Sequence, residues 1–240
     1  IALRCLDAGE TGCNKQSLSR FREKGFAMKL YGFPLSPFVR KVAVVATEKG
    51  LDFEWEPSNP NAPTEEFLSV SPFSKIPGLA DGDFKLADST AIAVYLDARY
   101  PEPALIPAVP EARGRAVWFD EVVDTLLIPS AAPIVVNRFL KPNIFGQPGD
   151  EAAAQAAEQA ALKPLGYLEG QLGDDGWLDA QFTIGDIALA SAIKTLSYAG
   201  WQLDRSAHGK LCAWYDRVSA RPAWQKVAEL EAASFASLRA

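Results

Sequence analysis

Four prolines between positions 101 and 110 (Pro101, Pro103, Pro107 and Pro110) rule out an uninterrupted helix or a central strand there, so the chain reads as two units joined by a linker. The two sides differ in texture. From Lys29 a short apolar run leads to Pro34 and the pair Ser36-Pro37, after which Val39, Val42, Ala43 and Ala46 repeat at helical spacing as far as Lys49-Gly50. Asp52 to Glu56 reads as a second extended run, followed by a Pro/Asn-rich loop and a short helix near Glu65 to Ser69. The turn signal Asp81-Gly82 separates Lys75 to Leu79 from Asp83 to Leu86 and pairs them as a hairpin, and Ser89 to Tyr100 reads as a closing helix. This order suits a small mixed sheet flanked by helices.

Beyond the linker no strand is predicted. Trp118, Val122 and Leu126 fall on one helical face, Leu165, Leu168 and Leu172 on another, and Asp150 to Ala161 is rich in helix-favouring alanine and glutamate. Thr183 and Asp186 are spaced as the N-cap and third residue of a further helix, and Pro222 fits the first turn of a last one. Pro129, Pro133 and Pro164 predict kinks or breaks. The expected fold class is therefore an α/β domain over residues 28–104 followed by an all-α bundle over residues 111–240.

Met28 is the only methionine, and the 27 residues before it combine mixed charge with no compact apolar block. They read as an appended or upstream-translated leader outside the fold. An organellar presequence fits less well because Asp7, Glu10 and Glu23 are at odds with the acid-poor composition of such segments.

A hydrophobic share of 48% supplies a packed core, yet no run approaches the roughly 20 apolar residues that cross a bilayer, so no membrane association is expected. A formal charge of −6 lacks the basic footprint of a nucleic-acid binder. A small molecule or a protein is the expected partner. Cys5, Cys13 and Cys212 are scattered without a CxxC pair and His208 is the sole imidazole, so no metal site is expected. A hydrolytic triad would have to rest on His208, whose neighbours Ala207, Gly209 and Lys210 offer no nucleophile motif. The few unpaired thiols suit a reducing compartment, and the cytoplasm is the expected location.

Several short motifs admit two readings. Ser36 before Pro37 is a good helix N-cap, and its hydroxyl at a helix start also suits hydrogen bonding to an anion. Ile76-Pro77 alone reads as a strand edge. Asp88-Ser89 caps a helix, or receives an anion there. Trp118, Phe119 and Val122 are core residues by spacing, or the wall of a cleft.

The run Leu30-Tyr31-Gly32-Phe33-Pro34-Leu35-Ser36-Pro37-Phe38-Val39-Arg40-Lys41-Val42 resembles the opening of cytosolic glutathione S-transferases of the serine type, with a bacterial-like cast. Ser71-Pro72-Phe73-Ser74-Lys75-Ile76-Pro77 resembles their loop into a cis-proline, and Asp88-Ser89-Thr90-Ala91-Ile92 is similar to their Glu/Gln-Ser helix start. The capping segment at Thr183 resembles that of their helical domain. The resemblance implies a thioredoxin-like domain followed by a helical one, a homodimer, and glutathione as co-substrate. A free thiol is only about 3% ionised at pH 7, so such an enzyme must favour the anion. On the resemblance, Ser36 donates to that thiolate, Ile76 before cis-Pro77 pairs with the cysteinyl backbone, and Lys75 meets the glycyl carboxylate. Ser89 then holds the γ-glutamyl carboxylate and Asp88 the α-ammonium, although Asp88 is one methylene shorter than the usual residue.

Residues 35–38 contain no cysteine, which argues against a mixed-disulfide thiol transferase, and the Ser-Ser-Cys signature of the maleylacetoacetate isomerase branch is missing. Tyr31, as a tyrosine-type alternative, sits in the expected first strand. Phe38, Trp118, Phe119 and Val122 are expected to wall the site for a small hydrophobic electrophile. The expected activity is glutathione transfer to that electrophile. Glutathione-dependent peroxide reduction and a non-catalytic binding or regulatory role are the alternatives.

Overall fold

Met28 and Leu30 alternate with Tyr31 along the first strand, which sends the first two into the main core and Tyr31 to the opposite face against Phe67 and Val70. In this computed structural model, which describes residues 28–173 and 176–237, that strand, β1 (Met28–Tyr31), lies inside a four-stranded sheet. The expected leader, residues 1–27, lies outside the described residues. The sheet order is β2-β1-β3-β4, with β2 (Phe53–Glu56) parallel to β1. β3 (Gly78–Asp81) is antiparallel to β1, and β4 (Phe84–Ala87) pairs with β3 across the Asp81-Gly82 turn. The hairpin starts later than the run from Lys75 suggests, because Pro77 has no N–H to give to a ladder.

Helix α1 (Pro37–Glu48) is buried on almost every side from Val39 to Ala46. It packs against the sheet on one side and against the helical domain on the other. Helix α2 (Glu65–Val70) covers the second face of the sheet, and α3 (Ser89–Arg99) lies beside α1. Lys49, at the end of α1, ties the proline linker down. Its ammonium donates to Asp97 Oδ1 at 2.8 Å, to the Tyr100 carbonyl at 2.7 Å and to the Pro103 carbonyl at 2.9 Å.

The helical domain opens with a rod made of α4 (Pro110–Val122), a π-turn (Val123–Leu127), α5 (Ile128–Val135), a second π-turn (Val136–Leu140) and α6 (Lys141–Asn143). Of the kinks or breaks predicted at Pro129 and Pro133, no break occurs, and the chain stays helical from Pro110 to Asn143. Just before Pro129 and Pro142 the chain widens, with Ile128 N–H bonding the Val123 carbonyl and Lys141 N–H the Val136 carbonyl, five residues back. The extra residue per turn keeps the proline rings clear of the preceding carbonyls. Helix α7 (Glu151–Gln171) likewise runs through Pro164, where the carbonyl deprived of its partner belongs to Ala160 on the solvent side.

Helix α8 (Ile184–Tyr198) is buried along most of its length and forms the centre of this domain, with α9 (Gly209–Ser219) and α10 (Pro222–Ser237) around it. Its start is held by Asp186, whose carboxylate accepts from Thr183 N–H at 2.9 Å, Leu178 N–H at 3.0 Å and Trp214 Nε1–H at 2.8 Å. At Gly185 the approach of α8 to α4 is so close that a Cβ would fall 2.6 Å from the Phe119 Cβ. No helix among the described residues is long and apolar enough to cross a membrane.

Candidate active site

Gly32 turns the chain out of β1 at φ 156°, where a Cβ would collide with Val39. Four residues on, Ser36 is fixed by its own neighbours: its N–H donates to the Phe33 carbonyl at 3.0 Å, and its Oγ accepts from Val39 N–H at 3.4 Å as the N-cap of α1. A hydroxyl that caps a helix accepts through a lone pair and keeps its proton to donate. The two readings of Ser36 are therefore compatible in one group, and an anion beside it would meet both an O–H donor and the positive end of α1.

Ser36 opens on a cavity of about 560 Å³ between the domains. The first domain contributes Phe33, Phe38, Ile76 and the loop from Pro57 to Asn61; the second contributes Leu127, Ile128, Ala131 and Val135 on the rod, Ile144 and Phe145 after it, and Thr195 on α8. No residue on this wall carries a formal charge.

The expected wall of Trp118, Phe119 and Val122 is corrected here. Phe119 and Val122 are buried in the core, with Phe119 wedged against Gly185, and Trp118 is exposed, its indole N–H donating to Tyr167 Oη at 2.8 Å. The buried stripe of α4 runs through Ala116, Phe119, Val122, Val123 and Leu127, so the expected face of Trp118, Val122 and Leu126 is displaced: Leu126 is also exposed. The π-turn adds a residue to the turn and brings Leu127 rather than Leu126 inward.

The Ile76–Pro77 peptide is cis, and Ile76 lines the cavity. Ser71, buried beneath the loop, accepts from Lys75 N–H at 3.0 Å and donates to the Lys75 carbonyl at 2.7 Å, which fixes the backbone beside Ile76. The Lys75 side chain is exposed and forms no ion pair among the described residues.

Asp88 and Ser89 do not line the cavity. Asp88 is exposed, caps α3 by accepting from Ala91 N–H at 2.9 Å, and holds φ at 83°, a left-handed value that costs a residue with a Cβ about 1 kcal/mol or more. Ser89 is buried and donates, at 3.5 Å, to Asp124 on the π-turn of the other domain. Asp124 belongs to a buried cluster in which the Lys41 ammonium donates to Asp120 at 2.7 Å, Asp124 at 2.6 Å and Thr90 Oγ1 at 3.1 Å. Burial, with help from the neighbouring Asp120 charge, pushes the Asp124 carboxyl up to about 6 despite Lys41. Burial alone would lower the Lys41 pKa, but the two carboxylates outweigh it and hold the ammonium above its ordinary value.

Tyr31 is turned away from this cleft. Its hydroxyl donates to Glu66 at 2.8 Å, and burial together with that carboxylate raises its pKa well above the usual phenol range. His208 is buried at the start of α9, and no cluster of His, Cys, Asp or Glu able to hold a metal occurs among the described residues.

Two family models match the chain: a glutathione S-transferase N-terminal domain over residues 30–104 and a glutathione S-transferase C-terminal domain over residues 125–222. Glutathione S-transferase 3 of Zea mays is 37% identical over 207 residues, covering 83% of this chain and 92% of that one. The chain belongs to the glutathione S-transferase family. The solved apo structure of glutathione S-transferase III matches with a TM-score of 0.73 and 34% identity over 85% of this chain and 96% of that one. A glutathione S-transferase from Rhodospirillum rubrum matches with a TM-score of 0.77 and 28% identity over 83% and 91%. The thioredoxin-like domain and the following helical domain are those of the family, which uses glutathione as co-substrate.

For this transferase the sequence reading missed most of the second wall. One signal was present: Thr195 places a hydroxyl among the mostly apolar residues of α8, and a hydroxyl on a buried helix face calls for a partner. Ile144 and Phe145 carried no such signal, since a loop residue shows no period.

Proposed function

We propose that this transferase binds glutathione along Lys75, Ile76, Pro77, Asp88 and Ser89 and directs its sulfur, as thiolate, at an electrophilic carbon held in the apolar cavity, with Ser36 donating to the sulfur. The thiol proton passes to solvent, the C–S bond forms, and the leaving group departs with its electron pair. The observation that carries this reading is a capping hydroxyl with its proton free to donate, at the positive end of α1, on the edge of a wall without charge. Such a wall favours a neutral, hydrophobic co-substrate. The strained backbone of Asp88 beside Ser89 supports a binding role there.

The test is retention on immobilised glutathione, followed by side-by-side assays of aryl-halide conjugation and peroxide reduction. Retention with conjugation is the expected result. Retention with peroxide reduction alone would reassign the reaction, retention with neither would leave a binding module, and failure to bind would sink the reading altogether.

A homodimer is part of the proposal. It is supported by large apolar side chains left in solvent, chiefly Phe73 at 86% exposure, with Phe84 and Val94 on the first domain and Trp118, Leu126 and Leu162 on the second. Light scattering of Phe73→Ser is expected to move the mass from twice 26.0 kDa towards 26.0 kDa; an unaltered dimer would remove Phe73 from the interface, and a monomeric parent protein would end the proposal. A cytoplasmic location belongs to the same reading, supported by the free, buried thiol of Cys212.

A further inference from the structure

The loop that carries Ser36 lies between β1 and α1, and two of its carbonyls are held by side chains, one from α1 and one from the other domain. Arg40, one turn into α1 and only 1% exposed, donates through Nη2 to the Pro34 carbonyl at 3.3 Å. Thr195 on α8 donates to the Leu35 carbonyl at 3.0 Å and in turn accepts from Arg40 Nη1 at the same distance. The remaining Arg40 donors go to the Ser191 carbonyl at 2.9 Å and to both carboxylate oxygens of Glu231 on α10, with Nη2 to Oε2 at 3.1 Å. All five guanidinium N–H groups are thus matched to acceptors, in a planar fork that fixes where each points. Glu231 is equally buried and also accepts from Tyr198 Oη at 3.2 Å.

We propose that Arg40, Thr195 and Glu231 are positioning residues for the thiolate-stabilising hydroxyl. The last helix orients Arg40 through Glu231, and Arg40 and Thr195 together pin the two peptide carbonyls immediately before Ser36, setting the direction of its Oγ. This rests on the reading of Ser36 as the thiolate's donor. Net charge at the pair is zero, so its influence on the sulfur is through geometry. A buried pair of this kind adds little to stability over an apolar replacement, and what it supplies here is a defined position for a loop.

Thr195→Val separates position from folding, since it keeps the shape of the side chain and removes both hydrogen bonds. Glutathione bound to the intact protein is titrated by its ultraviolet thiolate absorbance. In Thr195→Val the bound-thiol pKa is expected to rise by about one unit, with kcat below that pKa falling about tenfold and the glutathione Kd within about twofold of the parent. Thr195→Ser, which restores the hydroxyl, is expected to restore both values. Glu231→Gln distinguishes geometry from charge: released positioning raises the thiol pKa, whereas an uncompensated Arg40 cation acting directly would lower it. A lower value in that variant, or an unchanged thiol pKa in Thr195→Val with only its melting temperature altered, overturns the proposal. A parent protein with no bound-thiolate signal defeats the reading of Ser36, and this inference with it; a normal parent signal that Thr195→Val leaves unmoved defeats the inference alone.

Discussion

Ser36→Ala is expected to lower kcat for conjugation about a hundredfold at pH 6.5 while glutathione still binds within about twofold, because a single preorganised donor to a developing or resident anion is commonly worth that much. The bound-thiol pKa should rise by about two units and the pH–rate profile should move with it. The competing account is that Ser36 only caps α1, and the alanine variant alone cannot dismiss it, since losing the bond from Val39 N–H costs about 1 kcal/mol of stability. Ser36→Asp separates the two. Aspartate is at least as good an N-cap, so the helix should stay as stable as in the parent, but its carboxylate has no proton to give and repels a thiolate. Ser36→Asp is therefore expected to be well folded and nearly inactive. Activity that followed stability across the two variants, high in aspartate and lower in alanine, would reduce Ser36 to a cap.

Ser36 was visible in the sequence for the reason that makes this test possible: cap, proline and helix lie within four residues, so their physics is local. The same holds for the Asp81-Gly82 hairpin and for the pairing of Thr183 with Asp186, where turn and cap chemistry are settled by neighbours. The cavity wall is different. Leu127, Ile128, Ala131 and Val135 line the same cavity as Ser36 from some ninety residues away, and which side of the rod faces it depends on the π-turn at Val123–Leu127. A strict 3.6-residue period points at Trp118 and Leu126, and both are in solvent. Pro129 and Pro133 were legible as disturbances, but a proline does not tell whether a helix breaks or widens. The hold that Arg40 and Thr195 exert on Pro34 and Leu35 was out of reach as well, because a buried arginine on an apolar helix face reads as an exposed one until its partners from α8 and α10 are in place.

Asp186→Ala is expected to cause the largest loss of stability among single changes in the helical domain, roughly 3 to 5 kcal/mol, or a fall in melting temperature of about 10 °C. The carboxylate is completely buried, and its two oxygens are shared among four donors: Leu178 N–H and Trp214 Nε1–H on Oδ1, Thr183 N–H and Thr183 Oγ1–H on Oδ2. Burial holds the carboxyl's pKa above its ordinary value although the four donors pull it down, and alanine removes the acceptor while leaving those donors buried. The donors then remain desolvated without partners. Asp186→Asn should cost about half as much, because the amide oxygen can still serve Leu178 and Trp214 while its NH2 confronts the Thr183 N–H. Urea unfolding of the three proteins measures this order directly. A loss in the alanine variant below about 1 kcal/mol would mean that water reaches the freed donors, and the cap would then be a local feature of α8, not the joint between α8, α9 and the segment before them.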